Sequence, residues 1–318
     1  MTVVCTGSIA YDYLMSFPGY FKEHILPEHL ESISLSFLVD SMIKQKGGTA
    51  PNIAYTMALL GERPKLLGTV GEDFSDYRAW LEKNNVDTTH VKVIDGEFTA
   101  SFFANTDLSN AQICSFYTGA MAHSCDLSLS EFAPDYPQMV IISPNDPGAM
   151  YCMVEECIDL GIPYLYDPSQ QIVRLEVDKL IEGVKGAQSL FINEYEFELI
   201  QKRTAMHAEE IKENVDFMVV THGEKGSIIY ADNNEYMIPV VEPKEIKDPT
   251  GVGDAFRGGF IRGYRLDLSW ETCGQIGALA ATYCLEQSGT QNHSYTVKEF
   301  VDRYKRTFSS DSSIEKLL

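Results

Sequence analysis

Basic residues are scarce in this chain of 318. Its 25 Lys and Arg stand against 46 Asp and Glu, a formal net charge of −21. That balance argues against nucleic acid as a partner, because such binding needs clustered cations to replace phosphate counterions. No uncharged apolar run reaches the ~18 residues of a membrane span, so no membrane partner is expected. The N-terminus has no basic segment ahead of its apolar stretch and reads as a first strand, not a signal peptide. Cysteine is sparse and scattered. Cys5, Cys114, Cys125, Cys152, Cys157, Cys273 and Cys284 include no Cys-x-x-Cys and no Cys/His grouping at zinc spacing. Reduced, mostly buried thiols in a cytoplasmic protein are the expectation. Several motifs are missing outright: the Gly-x-x-x-x-Gly-Lys-Ser/Thr phosphate loop, the protein-kinase set and His-Glu-x-x-His. Gly251-x-Gly253 lacks the third glycine of a dinucleotide fingerprint, and Phe256 stands in its place.

What is present is a chain with 44% apolar residues, enough to bury a full core in one large domain or two. Apolar runs at 3–10, 65–70, 139–143, 163–166, 189–192 and 217–220 read as strands. Helical periodicity occupies 51–60, 74–84 and 149–160, and then most of the C-terminal third at 253–265, 270–287 and 297–308. Strands alternating with helices imply a parallel sheet covered on both faces. Two stretches depart from that rhythm. Residues 33–37 alternate like a half-buried strand, and 96–118 read as a β-hairpin with polar residues 107–110 at its tip. The pattern predicts an α/β core in one domain over 1–318, with a small lid sheet built from excursions near 13–46 and 96–118.

Chemistry concentrates in Asp248-Pro249-Thr250-Gly251-Val252-Gly253-Asp254-Ala255-Phe256. Two glycines let the backbone turn sharply and admit an oxyanion to its N–H groups. A helix beginning there leaves its first amides unpaired and aims its positive end at the loop, which makes an anion hole. Gly251, Val252 and Gly253 would hold a transferring phosphoryl group while Asp254 accepts a hydroxyl proton. The helix dipole predicts a weakly basic, ordinary carboxylate, which a loose phosphoryl-transfer transition state tolerates. The same residues also suit a plain helix cap.

That string resembles the C-terminal signature of the ribokinase/PfkB carbohydrate and nucleoside kinases. Gly47-Gly48-Thr49-Ala50-Pro51-Asn52 is similar to their Gly-Gly-x-x-x-Asn mark, Asn193-Glu194-Tyr195-Glu196 to Asn-x-x-Glu, and Thr221-His222-Gly223-Glu224-Lys225-Gly226 to Thr-x-Gly-x-x-Gly. Four further segments resemble the bacterial adenosine kinases of the family: residues 6–12, 35–40, 111–117 and Asp167-Pro168-Ser169-Gln170-Gln171. The resemblance implies a ribokinase-like three-layer α/β sandwich with a mostly parallel central sheet and a β lid. It implies ATP-dependent phosphorylation of adenosine at the 5′-hydroxyl, with a sugar kinase of the same family as the alternative.

The resemblance also implies roles. Asp12 would accept ribose hydroxyls, Gly48 would let the backbone approach the sugar, and Asn52 would offer both a donor and an acceptor. Ser8 and Ser36 are weaker sugar-side candidates. Phe102 and Phe116, on the two hairpin arms, would stack on the purine, unless they are merely lid core. Gln170 and Gln171 would make polar contacts to the nucleoside. Thr221, Gly223 and Gly226 would line the ATP site, at a strand end where α/β proteins bind ligands. Asn193 and Glu196 would organise Mg²⁺ and its water, or simply cap the next helix. Arg174 is a candidate cation near the phosphate, or solvated surface, and Arg257 is a second. A monovalent cation such as K⁺ near Asp248 and Thr250, and a homodimer through the exposed lid edge, complete the expectations.

Overall fold

The computed structural model describes residues 2–25, 34–308 and 312–318. In chain order its strands are β1 (Val3–Thr6), β2 (Ala10–Ser16), β3 (Ser41–Gly47), β4 (Lys65–Val70), β5 (Asp87–Val93), β6 (Ala100–Thr106), β7 (Gln112–Tyr117), β8 (Met139–Ile142), β9 (Tyr164–Tyr166), β10 (Ser189–Asn193), β11 (Phe217–Thr221), β12 (Ser227–Ala231) and β13 (Asn234–Ile238). Its α-helices are α1 (Thr49–Leu59), α2 (Ser75–Lys83), α3 (Pro147–Leu160), α4 (Val177–Gly186), α5 (Glu194–Thr204), α6 (Ala208–Glu213), α7 (Val252–Arg265), α8 (Trp270–Leu285) and α9 (Val297–Thr307).

Nine strands form one sheet in the order β13-β12-β11-β10-β9-β8-β1-β4-β5. It is parallel from β11 to β5, and only β12 and β13 run antiparallel. The central strands are apolar on both faces because both are covered. Along β1, Val4 joins one core cluster and Cys5 the other; along β11, Val219 and Val220 divide in the same way. The cluster holding Cys5 and Val219 is completed by Ile53 of α1, Phe256 and Phe260 of α7, Ile276 of α8 and Phe300 of α9. The opposite one packs Met150 and Val154 of α3 and Leu180 and Val184 of α4. This period-2 split gives three layers, as the resemblance implies.

Local signals set the helix ends. Asp146 caps α3 by accepting from the amides of Gly148 and Ala149, Pro147 opens the helix, and Gly161 closes it in the left-handed region.

A separate four-stranded sheet has the order β3-β2-β6-β7. Residues 34–37, expected as a strand, have no regular structure there, and Ile33 lies outside the described residues. Only Phe37 of that stretch is anchored, edge-on to Phe17 and Phe21. The strand that pairs with β2 is instead β3, a few residues later. Four further strands, β2, β5, β12 and β13, were not anticipated. β5 is an edge strand with only two apolar residues, Val91 and Val93, so its apolar signal is weak. β12 and β13 are joined by Asp232 and Asn233, both at positive φ, the residue types that suit a two-residue hairpin turn.

Candidate active site

The glycine-rich turn before α7 forms as expected. Gly251 takes φ +77°, and a Cβ there would lie 2.8 Å from the Thr290 side chain. Helix α7 therefore starts at Val252, and Asp254 falls in its first turn, near the unpaired amides. Asp248 ties the turn down. Its carboxylate accepts from the Thr250 amide (2.9 Å) and from the Gly289 amide (3.0 Å) across the C-terminal loop.

Asp254 departs from the weak base expected of it. Burial pushes its pKa up to about 6, against the pull of Arg257 and of a hydrogen bond from Asn52. The dipole loses because Asp254 is packed beneath α1, where Asn52 is buried and donates its Nδ2 to Asp254 Oδ2 at 2.9 Å. Gly48 makes that approach possible. It sits at φ +94°, and a Cβ there would lie 2.4 Å from the Ser8 carbonyl. Ser8 accepts from the Thr49 amide (3.3 Å), which holds the start of α1 against the end of β1.

Asp12 is not in a turn but within β2, half-buried. Burial lifts its pKa to about 6, helped by the nearby charges of Asp248 and Asp254. Strand pairing sets Asp12 opposite Phe102, and Phe102 opposite Phe116. These three side chains stand in one row on one face of the small sheet, from carboxylate to aromatic pair. Phe116 is 50% exposed, so it is not lid core.

Arg257 is the cation that the site contains. Its guanidinium is gripped by Asp167, with Nη2 2.9 Å from Oδ1 and Nε 2.6 Å from Oδ2. Burial works against its charge, but Asp167, Asp254 and Glu196 push its pKa up, so it remains a cation. A Cβ on Gly253 would meet Arg257 Nη1 at 2.8 Å, so the guanidinium lies against the glycine turn. Arg174, the other candidate, is exposed, with no side-chain polar contact found for it among the described residues, and does not join the site. Ser36 lies exposed in the irregular segment after the undescribed residues and is not brought in either. Gln170 is exposed and accepts from its neighbour Ser169, whereas Gln171 is buried with an unpartnered Oε1.

On the other side of the turn is a cleft of about 580 Å³. Thr221, Gly223 and Gly226 line it at the end of β11, Val252 and Gly253 line it at the anion hole, and Val241, Ile246 and Leu285 form an apolar wall. An apolar slot ending on helix amides suits a nucleotide, base in the slot and phosphates at the amides. Asn193 and Glu196 form a complete capping box on α5, each side chain accepting the other's amide at 2.8 Å. Among the described residues no cluster of three or more His, Cys, Asp or Glu could cage a metal. One carboxylate near a phosphate site suits Mg²⁺ held chiefly by phosphates and water.

Two residues that sequence reasoning missed complete the constellation. Gln291 donates Nε2 to Asn52 Oδ1 (2.9 Å) and also to the Tyr77 hydroxyl. Tyr77 donates to the carbonyl of Gly47 (3.0 Å). Neither belongs to a short motif, and they lie 214 residues apart, so no local signal could have joined them.

Residues 10–297 match the pfkB family of carbohydrate kinases. A nucleoside kinase of Methanocaldococcus jannaschii is 30% identical over 306 residues, covering 96% of this chain and 97% of that protein. The structure of Burkholderia thailandensis nucleoside kinase in complex with inosine superposes with a TM-score of 0.87 at 31% identity, covering 97% of this chain and 99% of that one. The same enzyme in complex with ADP and inosine gives 0.84 at 33% identity, covering 97% of each. With a family match along most of its length, relatives at this identity and a glycine-rich turn at a helix N-terminus beside a partly buried carboxylate, this chain belongs to the pfkB family and is a phosphotransferase of the ribokinase-like fold.

Proposed function

We propose that this protein transfers the γ-phosphoryl group of ATP to the 5′-hydroxyl of a purine nucleoside, adenosine foremost, giving ADP and AMP in purine salvage. The observation that carries this reading is the row of Asp12, Phe102 and Phe116 on one face of the small sheet. A carboxylate for a ribose diol next to an aromatic pair for a base is the spacing of a nucleoside, and a simple sugar has no use for the aromatic end. The relative bound to inosine supports a purine.

In this reading the chain acts as one kinase unit, with the small sheet as its lid. Asp254 orients the acceptor hydroxyl and takes its proton as the bond to phosphorus forms. The first amides of α7 and the Arg257 guanidinium carry the charge on the transferring phosphoryl oxygens, and ADP leaves toward the Thr221 side. Asn193 and Glu196 would hold Mg²⁺ through its water, and the Mg²⁺ would neutralise phosphate charge. A monovalent cation, K⁺, is proposed beside Asp248 and Thr250. Lid closure excludes water as a competing acceptor. The unpaired, exposed edge of β7 supports a homodimer through the lid. None of the seven cysteines is paired, which supports a cytoplasmic location.

The test is ADP release with a panel of adenosine, inosine, cytidine, ribose and fructose. Turnover of ribose or fructose with none of the nucleosides would establish the sugar kinase instead. For the mechanism, Asp254→Asn is expected to keep nucleoside binding and to lose about 10³-fold or more in kcat.

A further inference from the structure

The hydrogen bonds behind Asp254 form a chain with only one permitted direction. Tyr77 has a single hydroxyl proton, and burial keeps it protonated. It donates that proton to the carbonyl of Gly47. Its oxygen can then only accept, so Gln291 must turn Nε2 toward it. The same Nε2 carries a second proton, given to Asn52 Oδ1. Asn52 must therefore face Asp254 with Nδ2, its donor. A backbone carbonyl cannot become a donor, so the polarity of all four links is set at Gly47, the root of lid strand β3.

The orphaned atom in this chain is informative. Gln291 is 2% exposed, and its Oε1 is buried without a partner. Reversing the chain would pair that oxygen with Tyr77 and Asn52. It would also strand the Gly47 carbonyl and aim Asn52 Oδ1 at the carboxylate, an arrangement that only a protonated Asp254 could accept.

We propose that Tyr77 and Gln291 are positioning residues that lock the Asn52 amide, hold Asp254 Oδ2 as an acceptor, and so keep Asp254 ionised with Oδ1 free for the substrate proton. The inference rests on the reading of Asp254 as the base. Other groups face that carboxylate from the surrounding elements: Arg257 on α7, Asp12 on β2, Asp167 after β9 and Cys284 on α8, with Asp248 in the preceding loop close to Asp12 and Cys284. Removing Tyr77 or Gln291 as hydrogen-bond partners leaves all of them in place.

The test is the pH profile of kcat/KM for Tyr77→Phe and Gln291→Met in the full chain, beside Asp254→Asn. Phe keeps the ring packed against Tyr11 and Phe74, and Met keeps the length of Gln. In both variants the acidic limb is expected to move to higher pH, so that activity near pH 6 falls about five-fold more than activity near pH 8. A purely structural role would lower activity equally at every pH. That result, or an unmoved limb in whichever variant folds, overturns the proposal. Turnover retained by Asp254→Asn is a separate failure, since it removes the base itself. An inactive Asp254→Asn with parental limbs in the other two variants overturns the relay alone.

Discussion

At the scale of the residue, the contest at Asp254 is between a helix dipole and a desolvated pocket. The dipole favours the carboxylate by about 0.3–1 kcal/mol at an exposed helix end, which is less than burial costs it here. The pKa is therefore pushed up, to about 6. Only the ionised form accepts a proton. Activity should be full above this value and fall about ten-fold per pH unit below it, whereas an ordinary carboxylate would sustain it to about pH 4. A kcat/KM profile from about pH 5 to 8 checks this, and a flat profile across that range would contradict it. The place of Asp254 in the first turn of α7 was legible from the glycines before it. Its basicity was not, because the burying groups come from α1, α8 and β2, far away in sequence. Arg257 shows the same limit. Its place in the first turn was readable, but its grip by Asp167 spans 90 residues.

At the scale of the element, the register of the small sheet sets Asp12, Phe102 and Phe116 in one row, which the proposed function uses for recognition. Alternation in 96–118 was enough to predict two arms and to put Phe102 and Phe116 on them. It could not show that β2 runs parallel to β6 and brings Asp12 beside Phe102, since that pairing crosses about 90 residues of chain. Residues 34–37 failed in the opposite way, since alternation without a partner strand does not make a strand. The row predicts distinct kinetic signatures for its members. Phe116→Ala should raise the nucleoside KM about ten-fold, the worth of one base–aromatic stack, with kcat nearly unchanged. Isothermal titration with adenosine and steady-state kinetics check this, and an unaltered KM would assign Phe116 to another task.

At the scale of the whole molecule, the helical C-terminus is fastened as well as packed. Arg303 of α9 makes a two-pronged ion pair with Glu286, at 2.8 and 2.6 Å, and lies 4.5 Å from the Tyr283 ring centroid. Both side chains are nearly buried, so removing one leaves the other charge unpaired. Arg303→Ala should lower stability by about 3 kcal/mol, read by urea unfolding, with kcat intact at temperatures where the fold survives. The excess of acidic residues, in turn, fits the proposed use of helix amides and Arg257 for phosphate: the long-range field of the chain would repel a nucleotide, and short-range donors would have to hold it.

In the proposed reading the two substrates also meet different parts of this body. The cleft beside Thr221 draws its lining from β11 to β13, the following loop, α7 and α8, and takes nothing from the small sheet. The acceptor side would lie between Asp12 on the small sheet and Asp254 in the first turn of α7, which packs on the large sheet. If the small sheet closes as a lid, a spent donor can depart through a wall to which that sheet contributes nothing, while the phosphorylated acceptor must wait for the sheet to open. The expected order of departure is ADP first and the nucleotide product last, and product-inhibition patterns would record it.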